Sequence, residues 1–281
     1  MPFQTLVTVG DLAAHLCDPE WIIFDCRHDL AHARKGERAY REAHIPGARF
    51  AHLDRDLAGA KTGTNGRHPL PDAVTFADWL GRAGVSGEKQ VIAYDDAGGA
   101  FAARLWWLLR WMGHTAAAVL DGGWNAWLNA GRTTTDAIPL ARPARFDGRP
   151  DHSMTVDAAT LQAGLESGAL RIIDARSPDR YRGENETIDP VAGHIPGAVN
   201  RFFKENLEAG GRFRSAEELR AALEPLAAGR RGAQLVNQCG SGITACHNLL
   251  ALEIAGLPGA RLYPGSWSEW CSDPRRPIAR D

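Results

Sequence analysis

The pentapeptide HIPGA occupies residues 44–48 and returns at residues 194–198, 150 positions further along the chain. Two other motifs return in the same order and at nearly the same spacing. They are DCR at 25–27, which returns as DAR at 174–176, and GGWNAW at 122–127, which returns as GSWSEW at 265–270. Three ordered matches are improbable by chance and predict a tandem duplication of one unit. The unit is as long as a domain, which excludes a solenoid of short repeats.

The duplication sets the expected domain organisation. A chain of 281 residues is long enough for two domains of ~100–200 residues each. Between the two copies lies a polar stretch with several prolines, which is typical of a linker. We therefore expect a first domain at residues 1–135, a linker at 136–153 and a second domain at 154–281.

Each copy alternates short apolar runs with longer helical patterns. The apolar runs lie at 21–25 and 91–95 in the first copy and at 171–174 and 234–238 in the second. Such runs are typical of strands buried on both faces. The helical patterns follow at 100–112 and 243–255, and each ends near a glycine. The alternation predicts the α/β class, with a parallel sheet flanked by helices in each copy.

Composition narrows the range of functions. Lys and Arg total 32 and Asp and Glu total 34, so the formal net charge is −2 and no nucleic-acid partner is expected. No apolar run reaches the ~18 residues of a membrane span, and the N-terminal stretch lacks the pattern of a signal peptide, so no membrane association is expected. The five cysteines are too scattered for a disulfide framework. We expect a reducing, cytoplasmic location.

The first candidate for chemistry is the stretch VNQCGSGITA at residues 236–245. Cys239 follows a predicted strand and precedes a predicted helix, which is where open α/β sheets bind ligands. Gly240 and Gly242 allow backbone N–H groups to turn inward around an anion, and the helix adds the positive end of its dipole. Both effects favour a thiolate and predict a nucleophile. The alternative is a buried structural cysteine on a tight turn.

Taken together, the duplicated HIPG units, the CGSGIT loop and the GSWSEW segment resemble the two-domain rhodanese family of sulfurtransferases. The loop is most similar to that of the 3-mercaptopyruvate sulfurtransferase branch, and the resemblance runs from about Asp11 to Pro277. It implies that Cys239 takes a sulfane sulfur from a small-molecule donor, holds it as a persulfide and passes it to a thiophilic acceptor. A thiol, cyanide and a thioredoxin-like reductant are the candidate acceptors. No metal or cofactor is implied.

The persulfide would be an anion, and a ring of N–H donors is expected to hold it. The loop residues that offer these donors are Gly240, Ser241, Gly242, Ile243 and Thr244. A superposition of the two copies without gaps places Asp96 opposite Cys239. Because an aspartate cannot carry sulfur, the first copy is predicted to be inactive, and the resemblance implies the same.

A histidine in the first copy is a further candidate. His68 lies in the stretch GRHPLP, whereas the corresponding stretch of the second copy has Phe213 at this place. The copy without the cysteine therefore keeps the histidine, which predicts one site built from both copies. The resemblance implies a relay of Asp54, His68 and Ser241 that protonates the enolate left after the donor C–S bond breaks. Without it, all three residues are also compatible with ordinary loop positions.

Arg180 is the candidate for binding the donor. The resemblance implies that its guanidinium grips the donor's anionic group, which a planar fork can do with two parallel hydrogen bonds. Residues 184–190 contain three acids and no second arginine, which predicts weak binding of mercaptopyruvate. The uncharged loop at 240–242 does not suit the thiosulfate dianion either. By contrast, Arg176 recurs as Arg27 and is predicted to be structural.

Three alternatives to a mercaptopyruvate enzyme also place a cysteine in an anion-binding loop. A thiosulfate sulfurtransferase and a persulfide-carrying module without turnover both remain open. A cysteine phosphatase needs arginine at the sixth position after its cysteine, where this chain has Ala245.

The histidines of the two HIPG motifs occur in both copies, so we predict hydrogen-bonded turn positions for His44 and His194. The four tryptophans of the repeated WxxW motifs are predicted to serve packing.

Overall fold

The computed structural model describes residues 2–280, which divide into two compact units. The first unit takes in the chain up to Gly59, then Pro71–Asp151 and Ala209–Phe213. The second unit takes in Ala60–Leu70, His152–Glu208 and the chain from Arg214 onward. A short stretch of the first copy, Ala60–Leu70, therefore belongs to the unit that contains the cysteine loop.

A five-stranded parallel sheet forms the centre of the first unit, in the order β1-β5-β4-β2-β3. Its strands are β1 (Leu6–Val7), β2 (Trp21–Asp25), β3 (Arg49–Phe50), β4 (Gln90–Tyr94) and β5 (Ala117–Leu120). Its helices are α1 (Val9–Ala14), α2 (Lys35–Glu42), α3 (Leu53–Asp56), α4 (Ala73–Arg82), α5 (Ala102–Trp111) and α6 (Gly123–Asn129).

A four-stranded parallel sheet forms the centre of the second unit, in the order β7-β6-β8-β9. Its strands are β6 (Arg171–Asp174), β7 (Val199–Asn200), β8 (Leu235–Gln238) and β9 (Arg261–Leu262). Its α-helices are α7 (Ala158–Glu166), α8 (Pro178–Arg182), α9 (Ala216–Ala227), α10 (Thr244–Ile254) and α11 (Ser266–Trp270). Short 3₁₀ turns lie at His152–Met154, Phe203–Asn206 and Gly232–Gln234. The predicted fold class is confirmed.

The central strands explain why the sequence shows uninterrupted apolar runs. Every residue of β4 and of β8 is buried, because helices cover parallel sheets on both faces. The predicted strands and helices are displaced by at most two residues at their ends, where backbone hydrogen bonding is least regular. Within residues 2–280, none of the helices combines the length and the apolar character that crossing a membrane requires.

The repeated D-x-R motif is structural in both copies, as predicted. Arg27 Nε and Nη2 donate to the Asp25 carboxylate at 2.9 and 2.7 Å, and the guanidinium lies 4.4 Å from the ring centre of Trp124. The second copy repeats the arrangement with Arg176, Asp174 and Trp267, with 4.8 Å between guanidinium and ring. Each buried pair thus ties the end of a strand to the repeated tryptophan segment.

The HIPG histidines are also structural. His44 Nδ1 lies 2.7 Å from the carbonyl oxygen of Tyr40, and His194 Nδ1 lies 2.9 Å from that of Tyr181. Each imidazole stacks on the ring of the same tyrosine, and both histidines are buried. The prediction of hydrogen-bonded turn histidines is confirmed.

The strand pairing corrects the sequence alignment of the two copies. Superposition without gaps set Asp96 opposite Cys239, but β4 ends at Tyr94 and β8 ends at Gln238, and both ends pair with the last residue of the neighbouring strand. The residue that follows these strands is Asp95 in the first copy and Cys239 in the second. The assignment of Asp96 was therefore wrong by one position.

Backbone hydrogen bonds support the corrected alignment. Trp124 N donates to the carbonyl oxygen of Asp95 at 2.8 Å, and Trp267 N donates to that of Cys239 at 2.9 Å. The error arises because the first copy has one residue more between the end of its strand and the repeated tryptophan. An aspartate still occupies the cysteine position, so the first copy remains without a nucleophile there.

Asp95 shows what the end of the central strand can hold. Its fully buried carboxylate accepts four backbone N–H groups at 2.7–2.8 Å, those of Ala97, Gly99, Phe101 and Ala102. A carboxylate thus fills the first copy's loop as a built-in anion.

We expect Asp95→Asn to destabilise the protein by about 2–4 kcal/mol, because its amide group turns a donor toward N–H groups that have lost their acceptor. Urea unfolding measures the change. The matched control is Asp96→Asn, whose side chain is exposed and which should change the free energy of unfolding little. Equal effects of both substitutions would contradict the corrected alignment.

Candidate active site

Cys239 lies at the carboxyl end of β8 and is 2% exposed. Its Sγ accepts the backbone N–H of Gly242 at 3.1 Å and that of Ser241 at 3.5 Å. The loop then enters α10 at Thr244. The sulfur therefore lies in a turn of N–H donors beside a helix start, as the sequence predicts.

Glycine is required at position 242. Its φ is +78°, and a Cβ atom there would lie 2.5 Å from the carbonyl oxygen of Pro264. Gly240 has a different reason to be small, because a Cβ atom there would lie 2.8 Å from Arg67 Nη2 and 3.4 Å from Arg180 Nη2. One glycine permits the turn, and the other lets two guanidinium groups approach the loop.

The GSWSEW segment holds the cysteine loop from outside. Cys239 N donates to Ser266 Oγ at 3.1 Å, and Ser268 N donates to the carbonyl oxygen of Gly240 at 3.0 Å. Ser266 itself has a φ of +53°, a left-handed conformation rare for a residue with a side chain. The repeated motif thus fixes the backbone around the sulfur.

His68 meets Ser241 within the second unit. His68 Nδ1 lies 2.8 Å from Ser241 Oγ, and both side chains are buried. The stretch before the histidine is anchored on α11, since Arg67 N donates to Ser268 Oγ at 3.0 Å. His68 and Ser241 therefore lie within hydrogen-bonding distance of each other, as the sequence comparison of the two copies predicts.

Arg180 reaches the loop from α8. Its guanidinium nitrogens lie 3.4 and 3.5 Å from the position that a Cβ of Gly240 would take. It is also engaged from behind, because Nε and Nη2 donate to Glu186 at 3.0 and 2.9 Å, and Nη2 donates to Asp189 at 3.0 Å. The predicted donor-binding residue is thus beside the loop, with two acids holding its far edge.

Arg67 is a candidate that sequence reasoning missed. Its Nη2 lies beside Gly240, and its Nη1 pairs with Asp189. Burial lowers the pKa of Arg67, while the proximity of Cys239 acts in the opposite direction. The available signal was its place directly before His68, since any loop that carries His68 to Ser241 brings its neighbour along. The second copy also has an arginine, Arg212, directly before Phe213.

Asp54 lies in the first unit, on α3. His52 caps this helix by accepting the N–H of Asp54, and Asp54 Oδ2 lies 3.9 Å from His28 Nε2. The role of Asp54 in a relay stays a prediction.

The remaining buried cysteines are less suited to act as nucleophiles. Burial raises the pKa of Cys26 and of Cys271, which favours the thiol form. Cys246 is fully buried, and its Sγ donates to the carbonyl oxygen of Gly242 at 3.3 Å. Cys239 is the cysteine that combines backbone donors with a neighbouring His–Ser pair.

Comparison with known proteins identifies the family. Residues 8–130 and 157–273 match the profile of the rhodanese-like domain. The chain belongs to the rhodanese family. The resemblance inferred from the sequence and the tandem duplication are both confirmed.

Several relatives of this rhodanese-family protein carry functional names. It is 51% identical over 281 residues to a probable 3-mercaptopyruvate sulfurtransferase of Pseudomonas aeruginosa, a match that covers 99% of each chain. It is 36% identical to a putative thiosulfate sulfurtransferase of Mycobacterium tuberculosis, covering 99% of this chain and 97% of the relative. The solved 3-mercaptopyruvate sulfurtransferase from Leishmania major matches with a TM-score of 0.85 and 33% identity, covering 95% of this chain and 74% of that one.

The two loop glycines should respond differently to alanine. Gly242→Ala should destabilise the protein by about 2 kcal/mol or more, because the backbone is left-handed and the new methyl group meets a carbonyl oxygen. Gly240→Ala meets only the ends of two flexible arginines, so we expect a loss below about 1 kcal/mol. Urea unfolding compares the two. A greater loss of stability for Gly240→Ala would contradict this description of the loop.

Proposed function

We propose that this protein is a sulfurtransferase that moves the sulfane sulfur of 3-mercaptopyruvate to a thiophilic acceptor through a persulfide on Cys239. The observation that carries the proposal is the combination at one loop of a cysteine sulfur held by backbone N–H groups and a buried His68–Ser241 pair. The names of the relatives support the same reaction.

The first half-reaction forms the persulfide. The Cys239 thiolate attacks the sulfur of mercaptopyruvate, so that an S–S bond forms and the C–S bond breaks. The electron pair of the broken bond passes to carbon and gives the enolate of pyruvate. The donor's thiol proton reaches that carbon, which leaves pyruvate and a persulfide anion. We propose that Ser241, aligned by His68, relays the proton, and that Asp54 supports the orientation of His68.

The second half-reaction returns the enzyme to its thiolate form. The outer sulfur of the persulfide lies one bond beyond Sγ, where N–H groups of Gly240, Ile243 and Thr244 can bind it in addition to those that hold Sγ. An acceptor thiol attacks this outer sulfur, and the Cys239 thiolate leaves; cyanide would give thiocyanate. We propose a thiol acceptor such as a thioredoxin-like reductant in the cytoplasm, consistent with five free cysteines.

The donor carboxylate is proposed to bind between Arg67 and Arg180. The segment after Arg180 lacks a second arginine, from which the sequence predicted weak binding. Arg67 offers a second guanidinium beside Gly240, although it comes from a distant part of the chain. Two charge-assisted contacts fit a carboxylate that must be held with its thiol toward Cys239.

Thiosulfate is the second candidate donor, since relatives with that name align over nearly the whole chain. Its cleavage releases sulfite and needs no protonation of carbon, so a His–Ser pair would have no task. A carrier without turnover would not need the pair either. The buried His68–Ser241 contact therefore favours mercaptopyruvate turnover over both alternatives.

Cys239→Ser should abolish turnover with mercaptopyruvate and cyanide, because an alkoxide forms no persulfide. Mass spectrometry of the wild type after donor treatment should show one added sulfur on the Cys239 peptide. The matched control is Cys17→Ser, which removes an exposed cysteine and should leave turnover unchanged. Substantial turnover by Cys239→Ser would exclude the mechanism.

Ser241→Ala and His68→Asn should each lower kcat with mercaptopyruvate by about 10²–10⁴-fold, the usual contribution of a positioned proton donor. The double variant should be little worse than either single one, because the two side chains act as a unit. Loading of Cys239 by thiosulfate, followed by mass spectrometry, should be much less affected. Equal losses for the two donors would indicate that the pair only shapes the loop.

A further inference from the structure

The segment after α8 places one carboxylate between the two arginines of the site. Asp189 Oδ1 pairs with Arg67 Nη1, and Asp189 Oδ2 accepts Arg180 Nη2 at 3.0 Å. The Asp189 side chain is only 2% exposed. A single buried carboxylate thus bridges both guanidinium groups that flank Gly240.

Glu186 provides a second buried carboxylate on the same side. It accepts Nε and Nη2 of Arg180, and its side chain is 1% exposed. Its Oε1 also accepts the backbone N–H groups of Ile188 and Asp189 at 2.9 and 3.0 Å. These bonds fix the carboxylate in place beside Arg180.

The nitrogens that bind the acids differ in part from those nearest the loop. The ion pairs use Arg67 Nη1 and Arg180 Nε and Nη2. Arg67 Nη2 and Arg180 Nη1 lie beside Gly240 and take no part in these ion pairs, while Arg180 Nη2 both donates to the acids and lies beside Gly240. The acids therefore orient the two guanidinium groups and leave one nitrogen of each directed to the loop. This arrangement keeps directional hydrogen-bond donors available to a ligand.

The charges nearly cancel. Arg67 and Arg180 contribute two positive charges, and Glu186 and Asp189 contribute two negative ones. Arg176, the third guanidinium nearby, is tied to Asp174 by a buried two-point pair and lies with its Nη1 3.6 Å from Glu186 Oε2, so Arg176 and Asp174 add one charge of each sign. Because the acids are buried, solvent and salt screen them little. A ligand at the loop therefore meets well-placed N–H donors with little net positive charge.

We propose that Asp189 and Glu186 determine donor specificity by cancelling the charge of Arg67 and Arg180, so that the site accepts a monoanionic carboxylate and disfavours a dianion. The inference rests on the proposed function, because it concerns the donor of that same site. Coulomb energy scales with ligand charge, so a fixed negative charge costs a dianion twice what it costs a monoanion. Donor geometry is kept while dianions such as thiosulfate are rejected.

The test is Asp189→Asn, which removes one negative charge and keeps the size of the side chain. The ratio of kcat/KM for thiosulfate to kcat/KM for mercaptopyruvate should rise by about tenfold or more, because the dianion gains more from the lost repulsion. The matched control is Glu184→Gln in the same segment, an exposed acid that pairs with Arg182 and should leave the ratio unchanged. A ratio that stays constant or falls in Asp189→Asn overturns the proposal.

A second variant and a second readout separate this proposal from the function itself. Glu186→Gln should raise the same ratio, and it replaces Asp189→Asn if that variant does not fold. Calorimetry of sulfate and of pyruvate binding compares a dianion with a monoanion without turnover. Each variant should strengthen the binding of sulfate more than that of pyruvate.

Absence of wild-type turnover with mercaptopyruvate would reject the proposed function. Sulfate binding unchanged relative to pyruvate in the folded variants would reject the charge compensation alone.

Discussion

Backbone N–H groups hold an anionic or anion-forming side chain at the carboxyl end of the central strand in each copy, and the surrounding structure serves this interaction. In the first copy the group is the buried carboxylate of Asp95, which accepts four N–H groups. In the second copy it is the sulfur of Cys239, which accepts two. The buried D-x-R pairs and the repeated tryptophan segments fix the strand ends around both. One scaffold thus holds a fixed carboxylate in one copy and positions a reactive sulfur in the other.

The second copy adds the side chains that sulfur transfer requires. The fixed carboxylate of the first copy needs only its N–H donors, whereas transfer of a sulfane sulfur also needs a proton relay and residues that orient the donor. His68 supplies contact with Ser241, and Arg67 and Arg180 approach through the space left by Gly240. Arg67 and His68 come from a short stretch of the first copy, whereas Arg180 and the loop belong to the second copy.

Much of this could be predicted from the sequence, because it depends on local pattern. The apolar runs predicted the strands, and the HIPG and D-x-R repeats predicted the duplication. The glycines around Cys239 predicted the anion-binding loop. The His68–Ser241 contact was predictable because the histidine is absent where the cysteine is present. The alignment of Asp96 with Cys239 failed because a single extra residue in a loop leaves the motifs intact and shifts the position between them.

The features that could not be predicted depend on contacts between side chains that are far apart in the sequence. Arg67 and Asp189 are 122 positions apart, and no periodicity links them. The acids after Arg180 suggested a loss of binding residues, whereas in the structure two of them, Glu186 and Asp189, are partners of the site arginines. Charge balance at a site is a property of the fold, because it depends on which opposite charges burial brings together.

The most direct test of the central claim is a single-turnover experiment without acceptor. The wild-type protein is mixed with less than one equivalent of 3-mercaptopyruvate, because the donor is itself a thiol and an excess of it would act as an acceptor, and pyruvate is quantified after rapid quenching. Transfer of sulfur to Cys239 predicts that each donor consumed gives one pyruvate and one added sulfur on the Cys239 peptide, and that thiocyanate forms only when cyanide is then added. Pyruvate release without a matching sulfur on Cys239, or the same release from Cys239→Ser, would contradict a persulfide held on Cys239.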